Sequence, residues 1–303
     1  MNYLDIVEAK KIFEKGKNVT QFLRERFNVS ENTSEIIELA YELQSGSYIK
    51  DALANRDEKE LYAKEIGKII RKYSSNSDCL LDIGTGELTT LTFMLNNIDI
   101  KFSDVFAFDI SWSRLKKGKE FFSKYKQKID LNVKSFVADI KAIPLQTKSI
   151  DIVTSSHALE PNAKYLNLLI KELFRITKKK LILFEPSYEL NSIEGKKRMD
   201  DFGYIRGIES SVNVLGGIVE KIIPIKNSFS LLNPTVCYVI KPPNYNTKTV
   251  KDISSFTVPG TDYILQKSDP FLMSHDTGLI FPILENIPIL KTHSGIFAAA
   301  KFE

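Results

Sequence analysis

The sequence predicts an α/β chain: a Rossmann-like, mostly parallel seven-stranded sheet with helices on both faces, plus an N-terminal helical extension and a small β-rich C-terminal module. Three observations predict it. Short apolar runs alternate with helical patterns between residues 78 and 242, the order that βαβ units impose on a parallel sheet. The first of these runs ends in Asp82-Ile83-Gly84-Thr85-Gly86, a glycine turn of the kind that opens a helix after a strand. Acidic residues stand at successive strand ends, as Asp82, Asp109 and Asp139.

Residues 1–77 read as helices. They contain no proline, and their only glycines are Gly16, Gly46 and Gly67. Asn32 followed by Glu35 reads as a capping box ahead of Ile36, Ile37, Leu39, Ala40 and Leu43, with Gly46 ending that helix. Asp57 followed by Glu60 opens another, whose apolar stripe is Leu61, Ile66, Ile69 and Ile70. From 78 to 242, strands are expected at 79–83, 105–108, 133–138, 150–154 and 181–184. Helices are expected at 88–95, 112–125 and 165–177 and across a stretch around 194–215, and 218–225 and 236–240 read as a closing strand pair. Residues 243–303 change character. Pro243, Pro259, Pro270, Pro282 and Pro288 limit this segment to short strands and many turns.

Composition narrows the function classes. Of 303 residues, 43% are apolar, enough for a real core, and the formal net charge is only +4, which argues against a basic nucleic-acid-binding face and suits a small acidic substrate. Cys79 and Cys237 each lie in apolar runs and read as buried thiols, and the absence of CxxC leaves no zinc or dithiol motif, so no metal is expected. No stretch approaches the roughly 20 apolar residues of a membrane span, and the N-terminus lacks a signal-peptide pattern, which makes a reducing, cytoplasmic location the expectation.

A glycine turn between strand and helix lets backbone approach a ligand closely and offers free helix N–H groups to it. Alone, it serves a dinucleotide as well as a methyl donor. Asp109 lies 25 residues beyond Gly84, near the offset at which a carboxylate meets a ribose diol. Ligands of open α/β sheets bind outside the carboxyl ends of the strands, where these acids and glycines gather.

With Leu80 to Gly86, Ala107-Phe108-Asp109, Val137 to Ile140 with Pro144, and Ser149 to Ser156, the chain resembles the class I S-adenosylmethionine-dependent methyltransferases over about residues 78–186, and loosely to 242. The resemblance implies S-adenosylmethionine as cofactor. It implies Gly84 and Gly86 against the methionine part and Asp82 near its amino group, with Thr85 among the cofactor-binding residues. Asp109 would bind the ribose hydroxyls, Asp139 the adenine amine, Ile140 the ring, and Ser155 and Ser156 the far side, with Ile110 also among the cofactor-binding residues. One departure is Leu88, where the family often has a third glycine. The dinucleotide pattern also finds no glycine at 87–89, which counts more heavily against NAD, since a pyrophosphate needs closer backbone approach.

The acceptor side is read from residues at the same sheet edge. His157 and Glu185 are the candidate catalytic pair, His157 as a base if the acceptor carries a proton. Glu160 and Asn162 share the His157 loop, which lacks the second histidine often found there in this family. Arg198 and Tyr204 lie in the insertion after the fifth strand, Arg198 suited to grip a phosphate or carboxylate bidentately. Tyr41, Gln44 and Tyr48 cluster at a helix end, and in this class N-terminal helices commonly form a lid. In the tail, Asp276 to Leu290 resembles the small zinc-ribbon-type proteins that partner methyltransferases, without their metal cysteines. Such a module would brace the catalytic domain or shape the acceptor cleft, with partner recruitment or homodimerisation as alternatives. The expected activity is methyl transfer to a small molecule or glycan precursor, on a sugar or phosphorylated group. An NAD-dependent oxidoreductase, a silent scaffold and an RNA methyltransferase are the competing readings.

Overall fold

A computed structural model describes residues 3–128, 130–228, 230, 232–244 and 255–299. Five helices come first: α1 (Tyr3–Glu14), α2 (Val19–Phe27), α3 (Ser34–Leu43), α4 (Ser47–Ala54) and α5 (Arg56–Tyr73). The central unit follows as β1 (Cys79–Ile83), α6 (Thr89–Asn97), β2 (Asp104–Asp109), α7 (Trp112–Tyr125), β3 (Val133–Val137), β4 (Ile150–Ser156), α8 (Leu166–Ile176) and β5 (Thr177–Pro186). It closes with α9 (Ile193–Phe202), α10 (Ile208–Val214), β6 (Ile218–Pro224) and β7 (Thr235–Lys241). Its sheet has seven strands in the order β3-β2-β1-β4-β5-β7-β6. The first five run parallel, and β7 is antiparallel to both β5 and β6.

The sheet is buried on both faces, and its side chains alternate accordingly. Leu81, Val153 and Leu183 face the core shared with α8 and α10, while Leu80, Ile152 and Ile182 face the core shared with α5 and α6. Helix α5 is therefore part of the sheet's packing layer, with Tyr62, Ala63, Ile66, Ile69 and Ile70 buried. Helices α1 to α3 have a small core of their own around Leu23 and Ile36.

Several local expectations need correction. The α3 cap is Thr33, whose hydroxyl accepts from Ile36 N, while Asn32 instead reaches the Pro161 carbonyl. Gly46, at φ 97°, begins α4 rather than ending α3. Leu61 is half exposed, because the buried stripe is phased on Tyr62 and Ile66. The helical stretch around 194–215 is two helices, divided where Gly203 and Gly207 take positive φ. The fifth strand runs from Thr177, since its lysines lie beyond the apolar run but still pair with β4.

The tail is a five-stranded module of β8 (Gln266–Ser268), β9 (Phe271–Met273), β10 (Leu279–Leu284), β11 (Ile287–Pro288) and β12 (Ile296–Phe297). Residues 245–254 and 300–303 of the expected module lie outside the described residues. The module covers the β3 edge: Ile289 bridges Val137 in parallel, and Leu290 N donates to Val137 O at 2.7 Å. Ile287, fully buried, packs against Leu115 and Val137. Trp112 Nε1 donates to the Leu284 carbonyl, and Lys116 pairs with Glu285 at 2.6 Å. Burying an unpaired carboxylate at this seam is costly, so Ile287→Asp is expected to lower stability by about 3 kcal/mol or more. Urea denaturation reads this directly, and an unchanged midpoint would show that the seam contributes little. No helix among the described residues is long and apolar enough to cross a membrane.

Candidate active site

The site forms where strand ends meet the N-terminal helices. In the first turn, Gly84 and Gly86 hold φ of 57° and 58°, backbone that glycine adopts without strain. Thr85 N donates to Phe108 O, tying the turn to β2. The close approaches at these glycines are to protein. A Cβ on Gly84 would lie 2.5 Å from Ala158 Cβ, and one on Gly86 would lie 2.5 Å from Arg114 Nη2.

Asp109 ends β2 and is buried. Its carboxylate accepts from Gly86 N and Ser111 N, both at 2.9 Å, which joins the glycine turn to the start of α7. Asp139, just beyond β3, accepts from Ser34 Oγ at 2.5 Å and from Lys141 N at 2.9 Å. Asp82 accepts from Thr154 Oγ1, and its pKa is pushed up to about 6. Burial is the main cause, opposed by hydrogen bonds from Thr85 and Thr154.

A pocket of 110 Å³ joins these strand ends, lined among others by Gly84, Asp109, Ile110, Asp139, Ile140, Ser156 and Asn162. Beside it lies a cavity of 740 Å³, lined among others by Gln44, Glu160, Arg198 and Tyr204. Ile37, Tyr41, Tyr48, Ser156, His157 and Pro161 line both, so the two spaces share a wall. Helices α3 and α4 supply much of that wall. Their anchors are reciprocal. Glu42 accepts from Ser111 Oγ and Ser113 N at the start of α7, and Glu87 accepts from Gly46 N and Ile49 N at the start of α4. Each carboxylate thus caps a helix N-terminus of the other unit, where N–H groups and the dipole favour an anion.

His157 follows β4 with φ 58°, a left-handed conformation uncommon for a residue with a side chain. Its Nδ1 pairs with Glu160 Oε1, and its Nε2 lies 2.7 Å from Thr235 Oγ1. Burial pushes the imidazole pKa down, but the Glu160 charge, its hydrogen bond and the Glu185 charge together outweigh it, and the value is raised. Thr235 in turn lies 3.2 Å from Ser228 Oγ, which lines the larger cavity. Arg198 lies beside the rings of Phe202 and Tyr204, and its Nη1 is buried with no partner.

Five expected site residues, Asp82, Thr85, Gly86, Ser155 and Glu185, line neither space. Glu185 is fully buried beneath the His157 loop and lines neither cavity. Its Oε1 accepts from Ser155 Oγ, Ala158 N and Leu159 N. Ser155 spends its hydroxyl on that contact and also lines neither space. Sequence reasoning missed Arg114, Glu42, Glu87, Thr235 and Tyr62, whose hydroxyl lies 2.8 Å from Ser156 Oγ. Only Glu87 carried a local signal, as the acid directly after the glycine turn.

Comparison with known proteins gives one family match and several solved structures. Residues 81–184 match the methyltransferase-domain family. No curated protein matches the chain. Among solved structures, the chain is similar to one from the complex between the Haloferax volcanii Trm112 methyltransferase activator and a methyltransferase, at 17% identity and TM-score 0.48, over 65% of this chain and 97% of that one. It is also similar to a Methanosarcina mazei S-adenosylmethionine-dependent methyltransferase, at 17% identity and TM-score 0.47, over 58% and 98% of the two chains. A third is geranyl diphosphate C-methyltransferase from Streptomyces coelicolor, at 12% identity and TM-score 0.44, over 58% and 74%. The family match thus places a methyltransferase domain on residues 81–184, the stretch that runs from β1 to β5.

Proposed function

We propose that the smaller pocket is the donor site, that the larger cavity holds the acceptor, and that the acceptor is a small molecule with an anionic group, methylated on a hydroxyl oxygen. The observation that carries this is the shared wall of the two spaces, together with the partnerless Nη1 of Arg198 in the larger one. A cavity of 740 Å³ falls in the range of small-molecule sites.

The residues fit the donor. Asp109 and Asp139 each keep acceptor capacity beyond the backbone and hydroxyl donors they already hold, which suits ribose hydroxyls and an adenine amine. Ile110 and Ile140 add apolar surface to the pocket. When bound, S-adenosylmethionine supplies a methyl group already activated on a sulfonium. The chain's own work is then positioning and proton handling. Arg198 fixes the anionic group by charge-assisted hydrogen bonds. The acceptor hydroxyl proton passes through Ser228 and Thr235 to His157, which the Glu160 carboxylate stabilises in its charged form. Helices α3 and α4 keep water from the junction. Among the described residues the C-terminal module lines neither cavity, so we assign it the bracing role, in keeping with its seam along β3.

The test is methyl transfer from radiolabelled S-adenosylmethionine to paired acceptors with and without a phosphate. Arg198→Met is expected to raise KM for phosphorylated acceptors about 10- to 100-fold, and to leave neutral acceptors within about threefold. An equal effect on both series would refute the anion assignment.

A further inference from the structure

The guanidinium of Arg114 is a buried charge in an unusual setting. Arg114 sits in the first turn of α7 with its side chain 8% exposed. Its guanidinium makes no hydrogen bond among the described residues, and Nε is wholly buried. The nearest carboxylate, Asp109, is 4.0 Å away and already accepts two backbone N–H groups. What holds the cation in place is aromatic: Tyr41 of α3 and Tyr48 of α4, with ring centres 4.8 and 4.4 Å from its central carbon. It rests directly against Gly86 and lines the smaller pocket.

A buried cation with five N–H donors and no hydrogen-bond acceptor is costly unless an anion completes it. The pocket it lines is the donor site of the preceding section, and this inference rests on that reading. A donor with an adenosine part and an amino-acid part carries one anion, the α-carboxylate. We propose that Arg114 binds this carboxylate, and that by lying between Tyr41 and Tyr48 it makes the closed position of α3 and α4 depend on the same contact. The fork geometry of a guanidinium allows a bidentate grip on a carboxylate. The two tyrosines fix the plane of the fork, so little side-chain freedom is lost on binding.

Calorimetric titration of the full chain with S-adenosylhomocysteine and with its decarboxylated analogue, S-adenosyl-3-thiopropylamine, separates the outcomes. In the wild type, loss of the carboxylate is expected to weaken binding about 30-fold. In Arg114→Met, the two ligands are expected to bind within about threefold of each other, because S-adenosylhomocysteine has lost its partner. Arg114→Lys, which keeps the cation, is expected to restore part of the difference, and it replaces the methionine variant if that one does not fold. Equal binding of both ligands by the wild type would overturn the proposal. So would an undiminished difference in Arg114→Met, which would assign the carboxylate to other groups. If neither ligand binds the wild type, the donor-site reading fails first and the proposal with it.

Discussion

Gly84→Ala will abolish measurable S-adenosylhomocysteine binding and lower stability by about 3 kcal/mol. Two effects add at this one atom. The backbone holds φ at 57°, where an L side chain costs about 1–2 kcal/mol. The new Cβ would also stand 2.5 Å from Ala158 Cβ, far inside van der Waals contact. Relief is blocked on the Ala158 side. Its N–H is bonded to Glu185 Oε1, and its neighbour His157 is held at both ring nitrogens and through its own N–H to Phe184 O. The loop must therefore lift as a piece, and that loop lines both cavities. Titration calorimetry and a thermal melt measure the two effects. Binding within threefold of wild type would show that the loop gives way without disturbing the site.

The second large effect is expected at Glu185, and it depends on pH. Glu185→Ala removes the one acceptor shared by Ser155 Oγ, Ala158 N and Leu159 N, a loss of about 3 kcal/mol or more for donors left buried. Glu185→Gln keeps an acceptor and isolates the charge. Burial is the main reason the Glu185 carboxyl is pushed up to about 7, with Glu160 adding to it and the His157 charge working against it. The folded protein thus holds this proton between pH 4.5 and about 7, where the unfolded chain has already released it. Stability from this group is full below pH 4.5 and falls as pH rises through that window, by about 3 kcal/mol in all. The glutamine variant lacks this slope. Its melting temperature minus that of the wild type should therefore climb steadily from pH 4.5 to 7 and level off above. A difference that stays flat would mean the carboxyl titrates normally.

These two residues also show what a sequence can and cannot tell. Gly84 was legible because the turn, strand end and following helix are all local, and local patterns fix backbone geometry. The same holds for the sheet, whose strands announce themselves through short apolar stretches such as Cys79-Leu80-Leu81 and Ile152-Val153, buried on both faces. Glu185 was legible as a strand-end acid, but not its direction. It points beneath the loop toward Ser155 and Ala158 rather than into a cavity, and nothing in its neighbours along the chain sets that choice. Arg114 reads as one more cation on a basic helix. Its meaning comes from Tyr41 and Tyr48, more than 60 residues earlier in the chain. The Thr33 cap and the phase of the α5 stripe were missed for a smaller reason, a shift of one residue within patterns that were otherwise present.

The covered β3 edge has a consequence for the order of events as the chain is made. The strand that needs covering ends at Val137, and the segment that covers it arrives about 150 residues later, around Ile289. At about 5–20 residues per second, a ribosome would leave that edge bare for about 10–30 s. Bare strand edges invite pairing with other chains. The opposite border is better protected, since β6 carries Glu220, Lys221 and Pro224. Nascent chains should therefore be stickiest along one side only, and the tail ends that period by occupying the side itself.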